Sequence, residues 1–170
     1  MSLPEVCVCY LLRTGNAGDI LLLGRKKFGL GEGKLVGPGG KLEPGETPER
    51  AIVREVAEET SLLLHRAELV GELTYSFPFK PEWSQKSWVF IAREWESEWE
   101  GEPRESDELA PRWYPVADIP TVQMWDDARY WVRDALAGRF VTATFEFGPD
   151  LCTVSASDHP AFDTNFPRRH

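Results

Sequence analysis

Gly40-Lys41-Leu42-Glu43-Pro44-Gly45-Glu46-Thr47-Pro48-Glu49-Arg50-Ala51-Ile52-Val53-Arg54-Glu55-Val56-Ala57-Glu58-Glu59-Thr60-Ser61-Leu62 is the most informative run in the chain. Thr47 is a good N-cap, Pro48 suits a first helical turn, and Glu49 suits the positive end of the helix dipole. A helix is therefore expected from Thr47 to about Leu62, with Ile52, Val53, Val56 and Ala57 on its apolar side. Glu55, Glu58 and Glu59 stand at i, i+3 and i+4 and share one narrow face. Like charges at that spacing repel by about 0.2–0.5 kcal/mol per pair. The stripe borders the apolar side, so it is not simply the solvated back of the helix. Clustered oxygen ligands suit Mg²⁺ or Mn²⁺, and Arg54 can hold one carboxylate in direction. From the residues alone, a metal site and an ordinary charged helix both fit.

Upstream, eight glycines lie between Gly24 and Gly45, interspersed with Lys26, Lys27, Lys34 and Lys41. Such a loop lets backbone N–H groups approach an anion while lysines supply charge. It is neither a Walker loop nor the dinucleotide fingerprint. Val6 to Leu12 and Ile20 to Leu23 read as a hairpin around a turn-rich link. Leu69 to Tyr75, Ser87 to Ala92 and Arg112 to Tyr114 read as strands. A second helix is expected from Asp126 to Leu136, stopped by Gly138. A last hairpin joins Phe140–Phe147 to Leu151–Ala156. The sum is an α+β domain whose helices cover a curved sheet. It spans residues 1–156, and residues 157–170 are expected to form a flexible tail.

The 170 residues carry 28 acidic and 19 basic side chains, a net charge of −9. That excludes a sequence-blind nucleic-acid binder, which needs a basic surface. No apolar run approaches the ~20 residues needed to span a bilayer. The first residues lack a secretory pattern, so a cytoplasmic protein is expected. Glu94 to Glu108 holds eight acids against Arg104 alone, which reads first as a solvated loop. Cys7, Cys9 and Cys152, with His65, His159 and His170 scattered, offer no zinc spacing. Reduced and mostly buried thiols are expected.

The run from Gly40 resembles the Nudix box, G-x5-E-x7-R-E-U-x-E-E-x-G-U, with U a bulky aliphatic residue. Gly40, Glu46, Arg54, Glu55, Glu58 and Glu59 occupy its places. Ser61 stands where the box has Gly and is expected to strain or reshape the turn without loss of activity. The resemblance implies a Nudix fold: a mixed curved sheet sandwiched between helices, with a loop–helix–loop site. It implies hydrolysis of a nucleoside diphosphate linked to another group, with Mg²⁺ (Mn²⁺ as alternative) between carboxylates and polyphosphate. Glu55, Glu58, Glu59 and the Gly39 carbonyl are the implied ligands. Glu46 and Arg54 are implied to orient them. Glu58 and the acidic loop both stand as candidate bases.

A wider resemblance, over about Val6 to Val154, is to the MutT-like oxidised purine nucleoside triphosphate hydrolases. Glu105-Ser106-Asp107-Glu108 matches a motif whose last Glu is a further metal ligand. Met124-Trp125 and Tyr130-Trp131 match a segment in which the first Trp stacks on the purine and two Asp read its edge. The resemblance implies that Lys26, Gly39, Gly40 and Lys41, with Trp125, Asp126 and Asp127, bind substrate. Asp127 matches the first Asp, Ala128 replaces the second, and a one-residue slide would pair Asp126 with Asp127. Val36, Leu35 and Leu30 replace an Asn, a Trp and a Phe. Each lost hydrogen-bonding partner weakens discrimination by roughly 1–3 kcal/mol. Trp125 also has a reading as core packing, since an aromatic at a helix start often serves the core. The expected activity converts an 8-oxo-dGTP type nucleotide to monophosphate and pyrophosphate. ADP-ribose, nucleotide sugars or dinucleoside polyphosphates are alternative substrates, and a silent nucleotide-binding domain is a third reading. A small nucleotide is the expected partner, with no nucleic acid or membrane, in a monomer or weak dimer.

Overall fold

The computed structural model describes residues 2–162. Its strands are β1 (Glu5–Gly15), β2 (Gly18–Lys26), β3 (Leu35–Val36), β4 (Gly39–Lys41), β5 (Leu63–Ser76), β6 (Gln85–Glu96), β7 (Leu109–Pro115), β8 (Val141–Phe147) and β9 (Val154–Ser157). Two α-helices, α1 (Pro48–Thr60) and α2 (Ala128–Leu136), join them. The sheet order is β3-β2-β1-β6-β5-β8-β9, with β4 paired to β1 and β7 to β2. Pairing is mixed: β1 runs parallel to β6 and β5 parallel to β8, and the other pairs are antiparallel.

β1 changes partners along its length. Val6 to Val8 face β4, Glu5 to Leu11 pair β6, and Leu12 to Gly15 turn into β2. Its near-continuous apolar run follows from burial on both faces. Side chains alternate across the sheet and feed two cores. Tyr10, Leu12, Leu21, Leu23, Val89 and Ile91 join Trp131, Val132 and Ala135 of α2. Cys7, Cys9, Leu11, Leu22, Phe90 and Ala92 join Ala51, Ile52 and Val56 of α1. A mixed sheet between two helices is thus the expected α+β Nudix architecture.

Thr47 caps α1 as expected, its hydroxyl accepting from the Arg50 N–H at 3.2 Å. The helix stops at Thr60 rather than Leu62, because Ser61 turns left-handed (φ 62°, ψ 21°). The second helix begins two residues later than expected, since Asp126 lies in the turn that precedes it. The boundary after residue 156 falls inside β9. Ser157 donates through its hydroxyl to the Thr144 carbonyl at 2.6 Å, and His159 is buried against Phe145. The fold therefore continues to Phe162, which packs on Tyr130. The rest of the expected tail, residues 163–170, lies outside the described residues. Among the described residues no helix is long and apolar enough to cross a membrane. Cys7 and Cys9 are buried free thiols and Cys152 is exposed.

Candidate active site

α1 packs its carboxylate stripe against β4, and the helix geometry sorts the three glutamates. Glu59 is buried and its Oε1 accepts the Gly39 N–H at 3.0 Å. Burial raises its carboxyl to about 7, and the charges of Glu55 and Glu108 add to the rise. Glu55 is also buried, and desolvation raises its carboxyl above the usual range despite its bond to Arg54. Glu58 points outward and is exposed. Gly40 lies against Glu55: a Cβ there would fall 2.6 Å from its carboxyl.

Arg54 organises this corner. Its Nε and Nη2 donate to the two oxygens of Glu46 at 2.8 and 2.7 Å. Nη1 donates to Glu55 at 2.8 Å and reaches Glu58 at 3.3 Å, and Nη2 also donates to the Lys41 carbonyl at 3.0 Å. The forked pair pulls the Glu46 carboxyl down to about 2. Glu108 is exposed just before β7, and its carbonyl accepts the Lys27 N–H at 3.0 Å. Its charge reaches both Glu55 and Glu59. Among the described residues, no three acidic, His or Cys side chains converge as a ready-made ion cage. Here Arg54 holds Glu55, and the Gly39 N–H holds Glu59.

A cavity of about 240 Å³ opens beside these carboxylates. Lys26, Gly39, Gly40, Lys41 and Glu59 line it, and so do Trp125 and Asp127. Val36, Leu35, Leu30 and Ala128, four departures from the wider resemblance, all stand in its wall and add apolar surface. Trp125 meets Phe77 and Phe147 edge-on at 6.1 and 5.7 Å between ring centroids. Gly31, with φ +87°, passes so close that a Cβ would lie 2.9 Å from the indole nitrogen. Lys34 Nζ sits 4.9 Å from the indole ring centroid. Trp125 is thus packed on aromatic neighbours and open to the cavity at once.

Asp126 and Asp127 part company, and the slide that would pair them is not found. Asp126 Oδ1 accepts from Arg129 at 2.8 Å and Oδ2 from the Val154 N–H at 2.9 Å, so its carboxylate is tied to α2 and β9 and does not line the cavity. Asp127 is buried, and its Oδ2 accepts from the Tyr75 hydroxyl at 2.9 Å and from Trp131 Nε1 at 2.7 Å. Burial lifts its carboxyl to about 6, against the pull of both donors. Sequence reading missed these two partners. Trp131 stands four residues after Asp127, a helical spacing that signals contact. Tyr75 comes from β5, and no local pattern joins it to Asp127. The acidic window is less free than expected: Glu102 pairs with Arg13 at 2.6 Å and accepts from Trp113 Nε1 at 3.0 Å.

The model of the NUDIX domain family matches residues 1–135. The chain belongs to the Nudix hydrolase family, whose members generally use a divalent metal. Over 127 residues it is 39% identical to the oxidized purine nucleoside triphosphate hydrolase of Danio rerio, covering 75% of this chain and 78% of that protein. Over 75 residues it is 43% identical to the 8-oxo-dGTP diphosphatase of Escherichia coli, covering 42% of this chain and 56% of that one. Among solved structures, a MutT protein from Bacillus halodurans superposes with a TM-score of 0.74 at 25% identity. That match covers 91% of this chain and 96% of that one.

Proposed function

We propose that this protein hydrolyses oxidised or non-standard purine nucleoside triphosphates to the monophosphate and pyrophosphate. The observation that carries the reading is one cavity whose lining includes Glu59, Lys26 and Gly39 together with Trp125 and Asp127. A polyphosphate and a flat base need those two chemistries side by side. The relatives named above as purine nucleotide hydrolases agree with it.

The donor set fits a hard divalent cation. Glu59 is buried and raised to about 7, and the charges of Glu55 and Glu108 lie close by. That mutual repulsion is what a bound cation relieves. We assign Mg²⁺, with Mn²⁺ as alternative, to Glu55, Glu58, Glu59, Glu108 and the Gly39 carbonyl. When bound, it supplies charge neutralisation for the polyphosphate and Lewis acidity toward a phosphoryl oxygen. Arg54 and Glu46 hold the glutamates in direction. Lys26 and Lys41 meet phosphate oxygens, with the Gly39 and Gly40 backbone close enough to assist. Glu58, the most exposed of the stripe and 3.3 Å from Arg54, and the acidic loop are the two candidates for taking the proton of the attacking water. Trp125 stacks on the base and Asp127 reads its edge.

The test is a nucleotide panel with Mg²⁺, scored for pyrophosphate against phosphate. Turnover of 8-oxo-dGTP or 2-hydroxy-dATP to pyrophosphate is expected. Preference for ADP-ribose over every triphosphate would sink the proposal, and tight binding without turnover would favour a silent domain. Glu59→Gln is expected to cut kcat by orders of magnitude with an unchanged far-ultraviolet spectrum. A near-normal rate would refute the metal assignment.

A further inference from the structure

Among the described residues, Asp127 Oδ1 is the one buried side-chain polar atom without a hydrogen-bond partner. Leaving such an atom unpaired is costly, and Asp127 lines the cavity, which together point to a ligand. The other oxygen explains why Oδ1 is left over. Oδ2 takes both the Tyr75 hydroxyl at 2.9 Å and Trp131 Nε1 at 2.7 Å. Indole nitrogen is a donor only, so the Trp131 contact fixes Oδ2 as an acceptor. The two oxygens of an ionised carboxyl are equivalent, so whichever one takes both donors, the other is left over.

The Tyr75 ring is itself held. It packs on Phe145 at 6.4 Å and on Phe147 at 6.3 Å between centroids. Tyr10 from β1 and Asp126 from the adjoining turn are the other titratable groups whose charge is felt in this cluster. Neither is a cation, so the indole N–H, the Tyr75 hydroxyl and the backbone N–H of Asp127 itself do the stabilising of the carboxylate. The same cavity is lined by the apolar Val36 and Leu35, and Ala128 next to Asp127 offers no polar side chain.

We propose that Tyr75 is a positioning residue: by donating to Asp127 Oδ2 it reserves Oδ1 as the single carboxyl atom offered to the purine edge. This rests on the nucleotide reading of the cavity. The consequence is recognition through one oxygen. In the ionised form Oδ1 accepts an N–H from the base. In the neutral form the proton resides on Oδ1, because Oδ2 is already receiving two donors, and it is donated to a base oxygen or ring nitrogen.

Tyr75→Phe in the full chain removes the hydroxyl and keeps the ring stack. Three readouts are taken on wild type and variant: the ¹³C-carboxyl titration of Asp127 in the free protein, 8-oxo-dGMP binding by calorimetry, and kcat and KM for 8-oxo-dGTP. Loss of a hydrogen bond to the carboxylate is expected to move the Asp127 midpoint upward. Binding should weaken and KM rise about tenfold, with kcat within about twofold. Trp131→Phe should displace the midpoint in the same direction. An unchanged midpoint with unchanged binding overturns the proposal. So does an equal fall in kcat and kcat/KM that tracks a fall in Tm, since that is the mark of a merely structural residue. If wild type binds no purine nucleotide while Tyr75→Phe still raises the midpoint, the nucleotide reading fails and the carboxyl clamp stands.

Discussion

Ser61 holds a backbone conformation that suits glycine better (φ 62°, ψ 21°). Its N–H still donates to the Ala57 carbonyl at 3.0 Å, so the helix end is closed at the expense of local strain. Strain in the left-handed region is partly offset by the greater unfolded entropy of glycine, so Ser61→Gly should stabilise by about 1 kcal/mol. Urea denaturation checks this, and activity should not change. Gly40 is the opposite case. A Cβ would strike the Glu55 carboxyl at 2.6 Å, and that carboxyl is the far end of a side chain held by Arg54. Gly40→Ala should therefore displace Glu55 with little loss of Tm but lower kcat about tenfold or more, as expected for a misdirected ligand. A loss of Tm without loss of kcat would show that Gly40 serves the fold alone. The importance of Gly40 and the oddity of Ser61 were both legible from their places in the box. That Glu59 is buried and Glu58 exposed was not, because helical spacing puts them on one face without saying how deep that face lies.

At the scale of elements, α1 is the unit that the local code specifies best: cap, first turn, apolar side and carboxylate stripe agree. Its relation to the loop before it depends on Arg54, which binds Glu46 with a two-point fork and Glu55 with a third bond. A lysine keeps the charge but cannot make the fork. Arg54→Lys is expected to lower kcat/KM by about 10- to 100-fold while helicity by circular dichroism is retained. Wild-type kinetics in that variant would show that charge alone suffices. The short strands β3 and β4 escaped sequence reading, because two or three residues carry no periodicity. They exist only through pairing with β2 and β1. β5 is longer than its apolar stretch suggests, since Leu63 to Arg66 pairs with the acidic end of β6 through irregular register.

For the whole molecule, the net charge of −9 and the buried carboxyls act in the same direction. Asp127 is raised from 3.8 to about 6 and Glu59 from 4.5 to about 7. Between those limits the native state binds more protons than the unfolded state, so stability falls as pH rises through them. The fully buried Asp127 accounts for ~3 kcal/mol of that fall. Glu46 and Asp150, both lowered to about 2, work the other way and lose their contribution as pH drops below about 4. Metal-free protein should thus be most stable near pH 4–5 and lose Tm toward pH 8. Mg²⁺ at pH 7.5 should restore part of the loss, because binding to the native state alone stabilises it. Scanning calorimetry with chelator and with Mg²⁺ tests both; a flat profile, or no effect of the ion, contradicts them.

The order of residues was enough to specify the helix, the carboxylate stripe and the family, because these depend on spacing within a single continuous segment. It also marked Val36, Leu35, Leu30 and Ala128 as altered positions. Only folding in three dimensions brought those four into one cavity wall, sent Asp126 away to Val154 and placed Tyr75 on Asp127. Those contacts join residues tens of positions apart. Such pairings are decided by how the sheet curves and where α2 docks, and no local pattern encodes them.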